Sequence, residues 1–288
     1  MRVTFLGTGS PRPSGTRHGI GTLIEAGPHR LLFDTGRATL QRMHDCGISI
    51  ADVTNVFYTH LHSDHISGFG DFWMTGWFAC ERSAPLLVFG PAGTQRFIDG
   101  VKEAHHFDLS VRPAYEAANA AGLRVVVEEF TEGVCFDRDG VVVIAFLVDH
   151  GPHVKPAYGF RVDHAGRSVV LSGDTTACES VVRYATGADV LIHELAGASA
   201  EELARNAQLE KILAIHTTPE QVGEICRRAR PRVTLINHLS LWGITTDDVL
   251  DRIGAIYAGV VEIAEDRMNV VIGSEISLIL PAAGAVLV

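Results

Sequence analysis

The sequence predicts an α/β fold in which two mixed β-sheets pack face to face with helices outside. Three observations carry this. Short runs rich in apolar and β-branched residues alternate with stretches of helical periodicity. The strand-like runs come in clusters, with fewer helices set between them. The 288 residues are 47% hydrophobic and 20% charged, which allows a large buried core.

The runs Arg2–Leu6, Thr22–Glu25 and Leu31–Asp34 read as an opening set of strands joined by glycine-rich turns. A helix is expected from Arg37 to Asp45, ending near Gly47. Asn55–Thr59 is a short apolar run that stops at His60, as a buried strand does. Leu86–Phe89 reads as a strand and Ala92–Ala104 as a helix. In the second half, Val141–Val148, Tyr158–Val162, Ser168–Leu171, Val190–His193 and Val233–Ile236 read as strands. Glu220–Arg230 is helical with Pro219 at its start, and Asp247–Tyr257 is a further helix. Val260–Ala264 and Asn269–Ile272 are expected to form a closing hairpin. Two segments, 66–84 and 105–122, break the rhythm and are expected to be insertions in a single domain spanning 1–288.

The net charge of −10, from 34 acids against 24 bases, argues against general nucleic-acid binding but leaves a local basic patch open. The five cysteines, Cys46, Cys80, Cys135, Cys178 and Cys226, form no CxxC clip, and their odd number speaks against a disulfide framework. They read as reduced thiols. The opening Met1-Arg2-Val3-Thr4-Phe5-Leu6 meets Gly7 too soon for a signal peptide, so a cytoplasmic location is expected. No apolar run is long enough to span a membrane; the tail from Ile276 is short and broken by Pro281.

The decisive string is Thr59-His60-Leu61-His62-Ser63-Asp64-His65. Residues two apart in extended backbone point to one face, so His60 and His62 can converge on one ion. Asp64 and His65 follow in the turn and can reach a second ion. The competing reading is a solvated histidine-rich loop, but the strand before it is apolar. Four such groups packed together without a metal would leave polar atoms unsatisfied. Further ligand types stand just past predicted strands: His150, Asp174 and His238. Asp174 has two carboxylate oxygens and can bridge two ions.

With these residues the chain resembles the metallo-β-lactamase superfamily, and within it the ribonuclease Z and arylsulfatase-like branch. His60, His62, Asp64 and His65 match the family string HxHxDH in full. The runs Leu6-Gly7-Thr8-Gly9-Ser10-Pro11 and Phe33-Asp34-Thr35-Gly36 are similar to that branch as well, and the likeness extends from Arg2 to about Ser240. The resemblance implies an αββα four-layer sandwich and two divalent ions, with zinc first and manganese or iron as alternatives. It assigns His60, His62, His150 and Asp174 to one ion, and Asp64, His65, His238 and the shared Asp174 to the other. It also implies a pair beside the metals, Glu194 and His216, in which the carboxylate orients an imidazole that protonates the leaving oxygen. The alternative is that both merely cap a strand end and a helix. Members of the branch are often homodimers, which makes a homodimer a further expectation.

The expected chemistry is hydrolysis, with two ions lowering the pKa of a bridging water and Asp64 also orienting the nucleophile. The first substrate expectation is a small-molecule ester: an aryl sulfate, phosphodiester, carboxylic ester or lactone. The alternative is tRNA 3′-end cleavage. Ribonuclease Z enzymes usually carry a long flexible arm that clamps tRNA, and residues 66–148 hold six bases against eleven acids with no glycine- and lysine-rich stretch. A nucleic-acid partner is therefore the lesser expectation, and a basic surface stripe would favour it. Glyoxalase or sulfur-dioxygenase chemistry is a third reading. The aromatics Phe69, Phe72, Trp73, Trp77 and Phe78 follow the first motif closely and could wall an apolar pocket over the metals, as could Trp242. A helix packing its aromatics into the core is the alternative. His105 and His106 are set aside as a surface pair.

Overall fold

A computed structural model describes residues 1–114 and 119–281. The strands are β1 (Arg2–Gly7), β2 (Gly21–Ala26), β3 (His29–Phe33), β4 (Asn55–Phe57), β5 (Leu86–Gly90), β6 (Val125–Glu129), β7 (Gly133–Arg138) and β8 (Val141–Val148). They continue with β9 (Ala157–His164), β10 (Arg167–Leu171), β11 (Val190–Ala198), β12 (Val233–Trp242), β13 (Val261–Ile263), β14 (Asn269–Ile272) and β15 (Ile276–Ile279). Among the described residues they form one sheet in the order β15-β14-β1-β2-β3-β4-β5-β6 and another in the order β13-β12-β11-β10-β9-β8-β7. Both sheets are mixed: β3 to β6 and β10 to β13 run parallel to their neighbours, and the remaining pairs are antiparallel.

Strand periodicity sorts the side chains into layers. Leu31 and Phe33 of β3, Phe57 of β4, Phe160 of β9 and Ile192 of β11 meet between the sheets. The alternate residues Leu32, Val56 and Val88 face outward, where Met43, Phe69, Trp73, Trp77 and Ile98 of the outer helices cover them. On the second sheet, Val170, Leu191 and Ile236 are covered by Val181, Val222, Ile225 and Val249. The result is the four-layer sandwich.

Several expectations change. Val260–Ala264 and Asn269–Ile272 are no hairpin, since β13 pairs in parallel with β12 while β14 pairs with β1 in the other sheet. Pattern alone cannot show that the chain crosses between sheets at Ala264–Met268. β6, β7 and β15 lie outside the predicted set, as do the short helices Ala200–Arg205 and Gln208–Leu213. The segment 66–84 contains the helix Phe69–Phe78, which forms part of the outer layer rather than an excursion from it. Of the segment 105–122, residues 115–118 lie outside the described residues; the remainder includes a short helix, His106–Val111.

Arg82 pins that outer layer from within. It is fully buried, and its guanidinium donates to the carbonyls of Phe72 and Trp73 at 3.2 Å while lying 4.8 Å from the Phe72 ring centroid. Burial pulls its pKa down to about 10, so it stays charged at neutral pH. Gly76 leaves the room it needs, since a Cβ there would overlap the guanidinium. Gly76→Ala is expected to destabilise the protein by about 1–3 kcal/mol through overpacking. Gly100→Ala, on the helix Thr94–Ala104 with open space around it, is expected to stabilise by about 0.5–1 kcal/mol. Denaturant midpoints of the two variants check both signs; equal midpoints would remove the steric role of Gly76.

Candidate metal centre

The strand ends of both sheets meet at one rim. β4 ends at Phe57 and leads through Tyr58 and Thr59 to His60 and His62. Asp64 and His65 occupy the short helix Ser63–Ile66. From the opposite sheet come His150 after β8, Asp174 after β10 and His238 within β12. Tyr158 N donates to Thr59 O at 3.0 Å and ties the sheets together at this rim.

His238 reaches the cluster through a bulge. Glu194 pairs with Asn237 and Leu195 with Leu239, so His238 is the extra residue of β12. Its φ of 46° is left-handed, an uncommon state for a residue with a Cβ.

The donor atoms converge in two groups. His60, His62 and His150 place ligand atoms within 4.8 Å of one another, and so do Asp64, His65 and His238. Asp174 lies between them: its Oδ2 is 3.4 Å from His65 Nε2, 3.5 Å from His238 Nε2 and 3.8 Å from His150 Nε2. All but His62 are buried. The structure thus brings together all seven residues expected from the sequence.

The chemistry of the donors suits metal ions. Buried His60 Nε2 and His65 Nε2 have no hydrogen-bond partner, although the imidazole centroids of these two residues are only 4.1 Å apart. Burial pushes the pKa of His60 well below the ordinary histidine value, with neighbouring His65 adding to it; burial lowers His62 and His150 also. Neutral imidazoles with free lone pairs are what a cation binds. Burial opposes ionisation of Asp174, but His238 and His65 outweigh it and hold the carboxylate well below its usual range.

Two further residues stand at the site, and one of them supports a ligand. Asp34 Oδ2 is 2.8 Å from His65 Nδ1, and the carboxylate also accepts from Thr59 N and Thr59 Oγ1 at 3.0 Å each. It fixes the ring that presents Nε2 to the cluster. Its signal was in plain view: a carboxylate at a strand end, like Asp174. Asn237 is the other, with a buried Oδ1 that has no partner, beside a cavity of about 30 Å³ beneath the cluster.

Glu194 and His216 do meet. Glu194 Oε2 is 3.0 Å from His216 Nδ1, and Oε1 accepts from Thr217 N at 2.8 Å. The His216 ring lies 5.0 Å from that of His150. Burial works against an imidazolium at His216, but Glu194 and then Asp174 outweigh it and raise the pKa to about 9.

The proposed aromatic pocket is not formed by the helix. Phe69, Trp73 and Trp77 are buried in the outer core, with the indole N–H groups of Trp73 and Trp77 donating to Leu123 O at 2.9 Å and Asn119 O at 3.0 Å. The core alternative holds, because the helix packs its wide apolar face onto the sheet. Trp242 stands apart from them, half-buried at the end of β12 with the Arg12 guanidinium 5.6 Å from its ring centroid.

The family model described as Anti-Pycsar protein Apyc1 matches residues 1–224. Ribonuclease Z of Mycobacterium sp. (strain KMS) is 38% identical over 239 residues, covering 83% of this chain and 84% of the relative. The chain belongs to this family of metallo-β-lactamase-fold hydrolases. Ribonuclease Z of Mycobacterium bovis (strain BCG / Pasteur 1173P2) is 36% identical, covering 83% of this chain and 85% of the relative. The crystal structure of human tRNase Z, short form, is similar with a TM-score of 0.71 at 26% identity, covering 95% of this chain and all of that one. A diphosphatase from the PhnP family shares the fold at a TM-score of 0.67 and 16% identity, covering 94% of this chain and 98% of that one. No helix among the described residues is long and apolar enough to cross a membrane, and the five cysteines are free thiols.

For this metallo-β-lactamase-fold hydrolase, elemental analysis is expected to find about two divalent ions per chain. Asp174→Ala is expected to lose metal and activity together. Asp34→Asn is expected to weaken metal binding by about 10–100-fold while keeping the fold. Full metal content in Asp174→Ala would remove it from the ligand set.

Proposed function

We propose that this protein is a binuclear phosphodiesterase, and that ribonuclease Z-type cleavage at the 3′ end of a precursor tRNA is the activity its relatives support best. The carrying observation is the Glu194–His216 pair, 3.0 Å apart at the edge of the metal cluster. A sugar alkoxide is a poor leaving group and needs a proton as the P–O bond breaks. The Glu194 carboxylate favours the imidazolium form of His216 against burial, which suits it to supply one. An aryl sulfate or activated aryl ester releases a stabler anion and has less use for such an acid.

Zinc is the metal that this set of imidazole and carboxylate donors suits best. When bound, two divalent ions supply Lewis acidity to the phosphate oxygens and bring the pKa of a water near neutrality. His60, His62 and His150 would hold one ion and Asp64, His65 and His238 the other, with Asp174 within reach of both. The Asp64 carboxylate, 3.2 Å from His238 Nε2, also accepts a hydrogen bond from the attacking water and aims it. Glu194 accepts a hydrogen bond from His216 Nδ1–H and thereby orients the ring so that Nε2–H can deliver its proton to the leaving oxygen.

The relatives thus shift the balance from a small-molecule ester toward nucleic acid. An acidic chain and the base-poor segment 66–148 favour a second reading, a small phosphodiester, cut by the same residues. The test is a panel of precursor tRNA, bis(p-nitrophenyl) phosphate and p-nitrophenyl sulfate with the metal-loaded protein. Phosphodiester cleavage with trimming of the tRNA is expected; faster turnover of the sulfate would overturn the reading. His216→Ala is expected to keep its metal and lose about 10²–10⁴-fold on a sugar-alkoxide leaving group, but under about tenfold on p-nitrophenoxide. Equal losses on both would sink the acid role.

A further inference from the structure

A cleft of about 460 Å³ opens behind the loop that follows β1, lined by Thr16, Arg17, Arg42, Glu265, Asp266 and Arg267 among others. Its three guanidinium groups stand out in a chain of net charge −10. We propose that this cleft is a phosphate-binding subsite, holding a backbone phosphate of a polynucleotide substrate away from the cleavage point. The proposal rests on the phosphodiesterase reading and gives it a specificity element.

The carboxylates in the cleft offset part of its positive charge, since Asp266 Oδ2 lies 3.5 Å from Arg42 Nε, but none is paired with Arg267 among the described residues. Both oxygens of Asp266 are engaged. Oδ1 accepts from Thr8 N at 3.0 Å and Thr8 Oγ1 at 2.8 Å, while Oδ2 lies 2.8 Å from His18 N and 3.0 Å from His18 Nδ1. Asp266 is a structural anchor for the loop, and Glu265 is exposed at the rim. Arg17 spends only Nη1, on Thr8 Oγ1 at 2.7 Å and Ala264 O at 2.6 Å. Arg42 is engaged by carboxylates, with Nη1 2.5 Å from Asp45 Oδ2 and Nε 3.5 Å from Asp266 Oδ2, and its Nη2 lies 2.8 Å from His18 Nδ1, so it frames the cleft rather than supplying free charge.

Arg267 is the decisive residue. Among the described residues its guanidinium forms no hydrogen bond, and its Nε is buried without a partner. Its backbone sits at φ 71°, where glycine would be less strained. The turn is held there by Arg267 N donating to Phe5 O at 2.6 Å. A long cationic side chain kept in a strained turn, facing a cleft and lacking a counter-ion, lacks the anion that would satisfy it.

The cleft continues toward the strand that carries His238. A neighbouring cleft of about 340 Å³ shares Thr16 and Arg17 with it and is lined also by Arg12, Leu239 and Leu241. Leu239 follows the cluster residue His238, and its N–H donates to Thr8 O at 3.2 Å. Arg12 lies over Trp242, an aromatic face on which a base can stack. Arg12, Arg17 and Arg267 thus mark a basic track along the two clefts. A strand with repeated phosphates uses all of it; a small phosphodiester does not reach its far end.

The test compares wild type with Arg267→Glu, Arg267→Lys and Arg96→Glu, the last a matched charge change on the exposed face of the helix Thr94–Ala104. Binding of a fluorescent phosphorothioate RNA of about twelve nucleotides to the metal-loaded protein is read by anisotropy, so the result does not depend on cleavage. Arg267→Glu is expected to weaken binding at least about tenfold and to lower the salt slope by about one, Arg267→Lys to restore most of it, and Arg96→Glu to change it less than about twofold. RNA binding indifferent to Arg267→Glu overturns the subsite. So does saturable binding of inorganic phosphate lost in Arg267→Glu while RNA binding is unchanged, since the cleft then takes a free anion only. Parallel turnover of bis(p-nitrophenyl) phosphate keeps the two readings apart: its absence in wild type counts against the phosphodiesterase, not against the cleft.

Discussion

One carboxylate oxygen of Asp174 lies within 3.4 to 3.8 Å of imidazoles on His65, His238 and His150, and the architecture of the rim follows from this convergence. His65 comes from the first sheet and the other two from the second. Burying that many titratable groups costs free energy unless each is paired. Asp34 supports His65 from behind, Ile215 O lies 2.9 Å from His150 Nδ1, and Glu194 lies beneath His216. The apolar layer between the sheets supplies the stability that allows such a cluster to stay assembled, with Phe33, Phe57 and Phe89 stacked at 4.7 to 5.0 Å below it.

What could be read from the sequence was what local geometry determines. His60 and His62 alternate on a strand end, and periodicity is a local property. His150, Asp174 and His238 were legible because each is a ligand-type residue at the carboxyl end of a strand or just past its apolar stretch, and β8, β10 and β12 run in one direction and so bring these ends to a common edge. The bulge that turns His238 inward was not, since it depends on the register between β11 and β12, a relation between segments distant in sequence. The false hairpin has the same origin. Two neighbouring strands joined by a short turn look alike whether they pair together or enter different sheets, and Met268 and Ala264 are buried in the core between them in either case.

The aromatic run was ambiguous for a different reason. Phe69, Trp73 and Trp77 recur at helical spacing, which says that they share a face but not what that face covers. The buried Arg82 settles it physically. Its guanidinium must be satisfied by carbonyls, and the carbonyls available are those of Phe72 and Trp73, so the helix is held down on the sheet. The indole N–H groups reach outward to Leu123 O and Asn119 O instead of into a cleft. A polar tip that needs a partner decides where an aromatic body can lie.

Net charge was the weakest guide to the partner. A total of −10 averages over a surface on which charges separated by more than a Debye length, about 8–10 Å in physiological salt, barely sense one another. Local arrangement counts for more. Asp266 is held by hydrogen bonds from Thr8 and His18 and offset by Arg42, whose Nε lies 3.5 Å from its Oδ2. Arg267 is counted in the same sum with equal weight, yet among the described residues its guanidinium has no hydrogen-bond partner. An acidic chain can therefore present a locally electropositive cleft, and the sign of the whole carries little information about the sign of any one site.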